Sequence, residues 1–465
     1  DLMKGRFQDA LWVGTDGQGV SLYYKEKDRF GNILFDNLPF VSRMPVRAFY
    51  TDENNSIWVG TRGYSILRIE DYSKFNNKKI PEKNIRNIKT NKDAHIKPVY
   101  MFQRSVFNSN DLWMGTENGI SYYSEKDKTL YELEDFSDTN EKLTVVHSLC
   151  EVNDSTMWVS SRGLFKITID KRTKPYRIKK KKFYIFEPNN TNIHDEYRSM
   201  TYDGKSKLYA GSRHRYGILC VDIHTEQYNY ISIDNTDKNV TGDIIYLYLD
   251  NDSVLYVGTS SGLVQIKLAG DEKNRIKRFG KKEGIANDMI HGILKDKEGI
   301  IWLSTNKGLV KYNPENDSFF NVKSSEIKVN EYSDNACWRC PYTNRLFFGG
   351  VNGFVWIEPK DENQSYNYEP NLLFTELHYF NNKKTLYNYN YNPEEKLELK
   401  YEQNTFQINF AVLDYINGAN YDFSYKLENY NTDWIPLQNE TKIDFINIPA
   451  GNYKIYLSLV LQRYP

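Results

Sequence analysis

The stretch IHGILKDKEGIIWLSTNKGLVKYNPENDSFFNVK, Ile290–Lys323, reads as four short strands in succession. Ile290, Gly292 and Leu294 alternate in a first strand, DKEG makes a turn, and Ile300–Ser304, Leu309–Tyr312 and Phe319–Val322 follow as the second, third and fourth. Asp, Asn and Gly suit the connecting turns because they hydrogen-bond locally or accept positive φ. The same kind of turn recurs at Asp52-Glu-Asn-Asn, Asp203-Gly and Asp250-Asn-Asp. The unit is therefore a four-stranded antiparallel meander, and it is repeated.

Its second strand recurs as LWVGTDGQG (Leu11–Gly19), IWVGTRG (Ile57–Gly63), LWMGTENG (Leu112–Gly119), MWVSSRG (Met157–Gly163), LYAGSRHRYG (Leu208–Gly217), LYVGTSSG (Leu255–Gly262), IWLSTNKG (Ile301–Gly308) and LFFGGVNG (Leu346–Gly353). The aromatics Trp12, Trp58, Trp113, Trp158, Tyr209, Tyr256, Trp302 and Phe347 stand 45–55 residues apart. A period in the forties with one aromatic and one glycine turn per unit predicts an all-β protein built on a β-propeller. The aromatic reads as packing between blades rather than as a platform for a ligand.

Composition agrees with this and excludes several alternatives. The 465 residues exceed one ordinary core, so more than one domain is expected. Lys plus Arg and Asp plus Glu both number 61, so no global field favours nucleic acid or an anionic membrane. The 37 tyrosines suit pleated, half-buried surfaces. No run of eighteen apolar residues and no basic-then-apolar leader occurs. The chain starts shortly before a repeat and stops within a strand-like run, so it reads as a piece of a longer protein. Four cysteines are too few for a disulfide framework, and Cys337-Trp-Arg-Cys340 lies in a strand-like stretch without a second pair, which favours a structural role.

In a meander, the turn after the second strand lies at the same end as the loop leading into the first. One rim therefore gathers Arg62, Tyr64, Arg162, Arg213, His214 and Arg215 from the motif turns. Arg43, His194, Glu196, Asp243, Asn287 and Asp288 join them from the loops before the first strands. Amides, charged forks and aromatics together suit a polyhydroxylated ligand, which needs many directional hydrogen bonds and a stacking face. The arginines add the option of an anionic one.

The stretches GIANDMIHGILKDKEGIIWLSTNKGLVKYNP and LFFGGVNGFVWIEP resemble the regulator-propeller repeats of Bacteroidetes hybrid two-component sensors. LKYEQNTFQINFAVLDY, YDFSYKLENYNTDW and INIPAGNYKIYLSL resemble the tyrosine-rich three-Y domain that follows those propellers. Independently, alternation at Phe406, Ile408 and Phe410 and at Tyr421, Phe423 and Tyr425 predicts an immunoglobulin-like β-sandwich.

The resemblance implies the periplasmic sensor region of an inner-membrane receptor. Such a region binds oligosaccharide from complex-glycan breakdown and signals to a histidine kinase that regulates glycan-use genes. The expected partition is a remnant blade of a preceding propeller at 1–40, a seven-bladed propeller at 41–368 and the sandwich at 369–465. The expected partners are an oligosaccharide and a second copy through the sandwich, with no nucleic acid, and with the membrane only through segments outside this sequence.

Two other readings remain. A carbohydrate-active propeller enzyme would use Asp195, Glu196, Asp243 or Asp288 as an acid/base pair, but no repeated sialidase-type box is present. A passive interaction propeller would carry Gly-His and Trp-Asp markers, which the copies lack. The seven histidines have no metal-site spacing, and neither metal nor cofactor is expected. The basic run KRTKPYRIKKKK, Lys171–Lys182, reads as a solvated outer hairpin.

Overall fold

The computed structural model describes residues 2–4, 10–14, 16, 20–24, 30–38, 44–63, 66–76, 78–88, 98–137, 139, 141–184, 196–213, 217–233, 242–251, 253–269, 275–322, 327–358, 371–379, 382–385, 396–414, 421–438 and 440–461. The chain is all-β and divides into two compact units, Lys27–Asp361, and Asp1–Glu26 together with Glu362–Pro465.

In Lys27–Asp361 the described strands form seven sheets with four-stranded antiparallel meanders. From inner to outer strand, the first holds Val46–Thr51, Ile57–Thr61, Ile66–Ile69 and Ile85–Ile88. The next five begin with inner strands Val99–Arg104, Ser148–Glu151, Tyr197–Tyr202, Ile244–Asp250 and Ile290–Lys295. In the seventh, Tyr332–Arg339, Leu346–Gly350 and Gly353–Ile357 take their outer strand from the other end of the unit, Phe30–Leu34. Successive inner strands are neighbours, and the seventh neighbours the first.

The motif glycine explains how closely the sheets approach. A Cβ on Gly60 would lie 3.0 Å from Val99, on Gly115 2.5 Å from the Val146 carbonyl, on Gly211 2.4 Å from Ile244, and on Gly258 2.9 Å from Ile290. On Gly349 it would lie 2.6 Å from Val46, which closes the order from seventh sheet to first. Only a residue without a side chain leaves room for the β-branched start of the next inner strand.

The strand Phe30–Leu34 corrects the partition expected from sequence. It pairs along its whole length with Gly353–Ile357, so it belongs with the sheets of Lys27–Asp361 and not with a remnant ending at residue 40. Burial explains its recruitment: Phe30, Ile33 and Phe35 are core residues. Asn32, fully buried, receives Lys328 N at 2.9 Å and donates its own N–H to Asn76 at 2.8 Å. Leu2–Lys4, Ala10–Gly14 and Val20–Tyr24 form a separate three-stranded sheet.

The C-terminal part is a two-sheet sandwich. One sheet orders Asn382–Thr385, Leu372–Tyr379, Phe406–Val412 and Lys442–Phe445, and the other Ile435–Gln438, Tyr421–Glu428 and Lys454–Leu461. Ile408, Phe410, Tyr421, Phe423, Leu427, Ile443 and Phe445 fill its core, as their period-two alternation predicts.

Candidate functional site

Irregularities in the inner strands create the site. Between the pairs Val46–Thr61 and Ala48–Gly60 one extra residue, Arg47, bulges out. The same register shift ejects Tyr100, Arg198, Ile245 and His291 from the second, fourth, fifth and sixth inner strands. In the third sheet His147 N donates to Ser160 O although Ser148 faces Ser160. The seventh goes further: Ser333–Ala336 stand opposite the single Gly349. A bulge re-aims its side chain, and those of Arg47, Tyr100, His147, Arg198, His291 and Asp334 are linked into one network.

Arg198 Nη1 donates to Asp334 Oδ2 at 3.3 Å, and Asn335 Nδ2 donates to Arg198 O at 3.0 Å. The fourth and seventh sheets are not adjacent in the ring, so these bonds cross its middle. Asp334 is shared further, with His291 Nδ1 at 2.7 Å and Arg47 Nη1 at 3.7 Å, while His291 Nε2 lies 2.7 Å from Asn306 Oδ1. Arg198 Nε also reaches Glu196 Oε1 at 3.3 Å. Glu196 in turn bonds His147 Nε2 at 3.0 Å and accepts from Arg213 Nη1 at 2.6 Å, and Arg213 Nε lies 3.6 Å from Asp243. Tyr100 meets the His147 ring edge-on at 5.3 Å.

The charges are tuned by this crowding. The His147 hydrogen bond, with help from Arg213 and Arg198, holds the Glu196 carboxyl well below the usual carboxylate range despite burial. Burial pushes Asp334 up, but the His291 hydrogen bond and the fields of His291, Arg47 and Arg198 prevail and lower it. For Arg47, burial and the neighbouring Arg62 and Arg198 outweigh Asp334, so its pKa falls.

The inner strands thus line the central channel of the ring, and of the residues expected from sequence, Glu196, Arg213 and Asp243 come together there. Arg162 bridges to Glu196 through the backbone, and Arg62 bonds Pro45 O through its N–H beside Arg47. Asn287 and Asp288 serve their own turn: Asn287 Oδ1 accepts from Met289 N, and Asp288 Oδ1 accepts from Lys281 N at 2.8 Å. Arg43, Tyr64, His194, His214 and Arg215 lie outside the described residues. Sequence reasoning missed Arg47, Tyr100, His147, His291 and Asp334. The available signal was the residue directly after the first apolar position of each inner strand, in VRA, VYM, VHS and IHG, which strict alternation assigns to a sheet face.

No cluster of three metal-ligating side chains exists among the described residues. Cys337 and Cys340 are buried and unpaired, with burial pushing the Cys337 thiol up to about 12. The basic run crosses the turn before the outer strand Arg177–Tyr184 and continues along it, where Lys181 pairs with Asp135 and Lys182 with Glu226 of the next sheet. No helix among the described residues is long and apolar enough to cross a membrane.

Residues 284–307 match the two-component regulator propeller family, and residues 414–459 match the Y_Y_Y domain. Histidine kinase P4 of Formosa agariphila is 25% identical over 358 residues, which are 74% of this chain and 25% of that protein. The chain thus spans about a quarter of this curated relative. Among solved structures, the extracellular domain of a B. thetaiotaomicron protein assigned to the hybrid two-component systems superposes over 100% of this chain and 59% of its own, with 22% identity and a TM-score of 0.72. A second such domain from that organism covers 99% and 60%, at 18% identity and a TM-score of 0.57. A virginiamycin B lyase from Staphylococcus aureus matches 71% of this chain and 99% of its own at 11% identity and 0.51. These likenesses establish the propeller fold alone. Both family models match in this order along one chain, the regulator-propeller match falling in the ring of sheets and the Y_Y_Y match in the sandwich.

Proposed function

We propose that this chain is the extracytoplasmic ligand-sensing region of a hybrid two-component histidine kinase. It binds an oligosaccharide from complex-glycan breakdown at the channel mouth and signals, as a dimer through the Y_Y_Y domain, to regulate transcription of glycan-use genes. The kinship with a histidine kinase supports the signalling role. The observation that carries the binding role is the convergence of Arg47, His147, Glu196, Arg198, Arg213, His291 and Asp334 from five different sheets onto one channel. Such a cluster offers donors and acceptors at fixed positions, which is what a sugar's hydroxyls require.

The enzyme reading fares worse on the same geometry. A glycosidase acid must hold a proton near neutrality, whereas Glu196 is kept ionised by His147 and Arg213. Asp288 is committed to its turn. A glycan array probed with the recombinant chain, followed by calorimetry on each hit, tests the proposal. Saturable binding without release of new reducing ends is expected; turnover that Glu196→Gln abolishes would replace sensing with catalysis.

A further inference from the structure

Two of the site's arginines are satisfied and two are not. Arg213 is gripped by Glu196 and lies beside Asp243, and Arg198 spans Glu196 and Asp334. Arg47 has a single long contact, 3.7 Å, to the same Asp334 Oδ2 that Arg198 already holds at 3.3 Å, while the other oxygen of Asp334 faces His291 at 2.7 Å. The Arg47 Nε, though buried, has no hydrogen-bond partner among the described residues. Arg62 is exposed and makes no ion pair among them.

Both arginines sit at one corner. Val46 faces Thr61, and Arg47 and Arg62 each follow one of that pair. Tyr100 occupies the same bulge position in the next sheet, and its hydroxyl feels the field of Glu117 and the opposing fields of Arg47, Arg62 and Arg198. Burial raises its pKa, so it remains a neutral donor.

We propose that, within the ligand-binding reading above, the corner of Arg47, Arg62 and Tyr100 receives an acidic group of the ligand, a carboxylate or a sulfate. Guanidinium forks match the two oxygens of such groups, and the buried, unpartnered Arg47 Nε supplies a donor. The ligand class is then an acidic saccharide, a uronide or a sulfated sugar, oriented with its charge toward the first and second sheets and its hydroxyls toward Glu196 and Asp243.

The test is calorimetric titration of the chain with sodium sulfate, sodium glucuronate and glucose, at constant ionic strength held with sodium chloride. Saturable binding of the sulfate or the glucuronate, and no binding of glucose alone, is expected. Arg47→Gln and Arg62→Gln should each weaken anion binding by about tenfold or more, as loss of a hydrogen bond to a charged group implies. Arg86→Gln, on an outer strand and paired with Glu70, should leave it unchanged. Arg62 is exposed, so its variant separates loss of binding from loss of folding. Absence of saturable anion binding, or equal affinity in Arg62→Gln, overturns the corner. A neutral oligosaccharide bound at the mouth with equal affinity in both variants would likewise overturn it, while leaving the sensing role standing.

Discussion

At the residue scale, one acidic position ties turn to core. Asp52 Oδ1 accepts from Asn54 N and Ser56 N, and its other oxygen from the Trp58 indole and Arg68. Asp296 repeats the pattern with Glu298 N, Ile300 N and the Trp302 indole at 2.7 Å. An Asp six residues before a Trp therefore fixes both the hairpin and the ring that packs against the next sheet. Where Val152 occupies that position, Trp158 Nε1 has no acceptor among the described residues, although Lys166 still covers its ring. Glu196 plays the comparable part at the channel. Its pKa in the fold is depressed, so its ionised form stabilises the fold above the ordinary carboxylate pKa of about 4.3, and that contribution fades as pH falls below it. The denaturation midpoint of the wild-type chain should accordingly drop more between pH 6 and pH 3.5, chosen to bracket about 4.3, than that of Glu196→Gln. Equal slopes would mean that Glu196 is not held by its partners.

At the scale of elements, the four-strand unit was readable because each strand obeys a period of two and each turn carries its own chemistry. Thr305 Oγ1 donates to Gly308 O and accepts from Lys307 N, and Thr259 does the same with Gly262 and Ser261. This is why the motif reads Thr-x-x-Gly, with Gly308 at φ 102° where other residues are strained. The closing strand was not readable. Phe30–Leu34 sits over three hundred residues from its partner Gly353–Ile357, and no local pattern encodes a pairing at that distance. The bulges were hidden for a related reason: one added residue shifts a strand's register only relative to its neighbour. Closure has a measurable consequence. A chain of residues 27–361 should unfold cooperatively, and one of residues 41–361, which lacks the outer strand and buried Asn32, should melt at a clearly lower temperature by circular dichroism. Equal melting temperatures would show that the strand contributes nothing to the ring.

At the scale of the whole ring, irregularities in the inner strands bring side chains of several sheets together at its middle. The outer strands pair their charges with neighbours, as Lys182 does with Glu226 across the third and fourth sheets. The inner strands direct theirs into the channel, where Arg198 joins two sheets that are not adjacent. A ligand that inserts there competes with those bonds and so acts on several sheets at once, which is the differential contact a sensor needs to bias one arrangement over another. Hydrogen exchange measured with and without the glycan that the array identifies tests this most directly. The account predicts ligand-induced protection concentrated at Glu196–Ser199, Arg213, Asp243 and Ser333–Asn335. Protection confined to the outer strands or to the Y_Y_Y domain, with the channel unchanged, would contradict it.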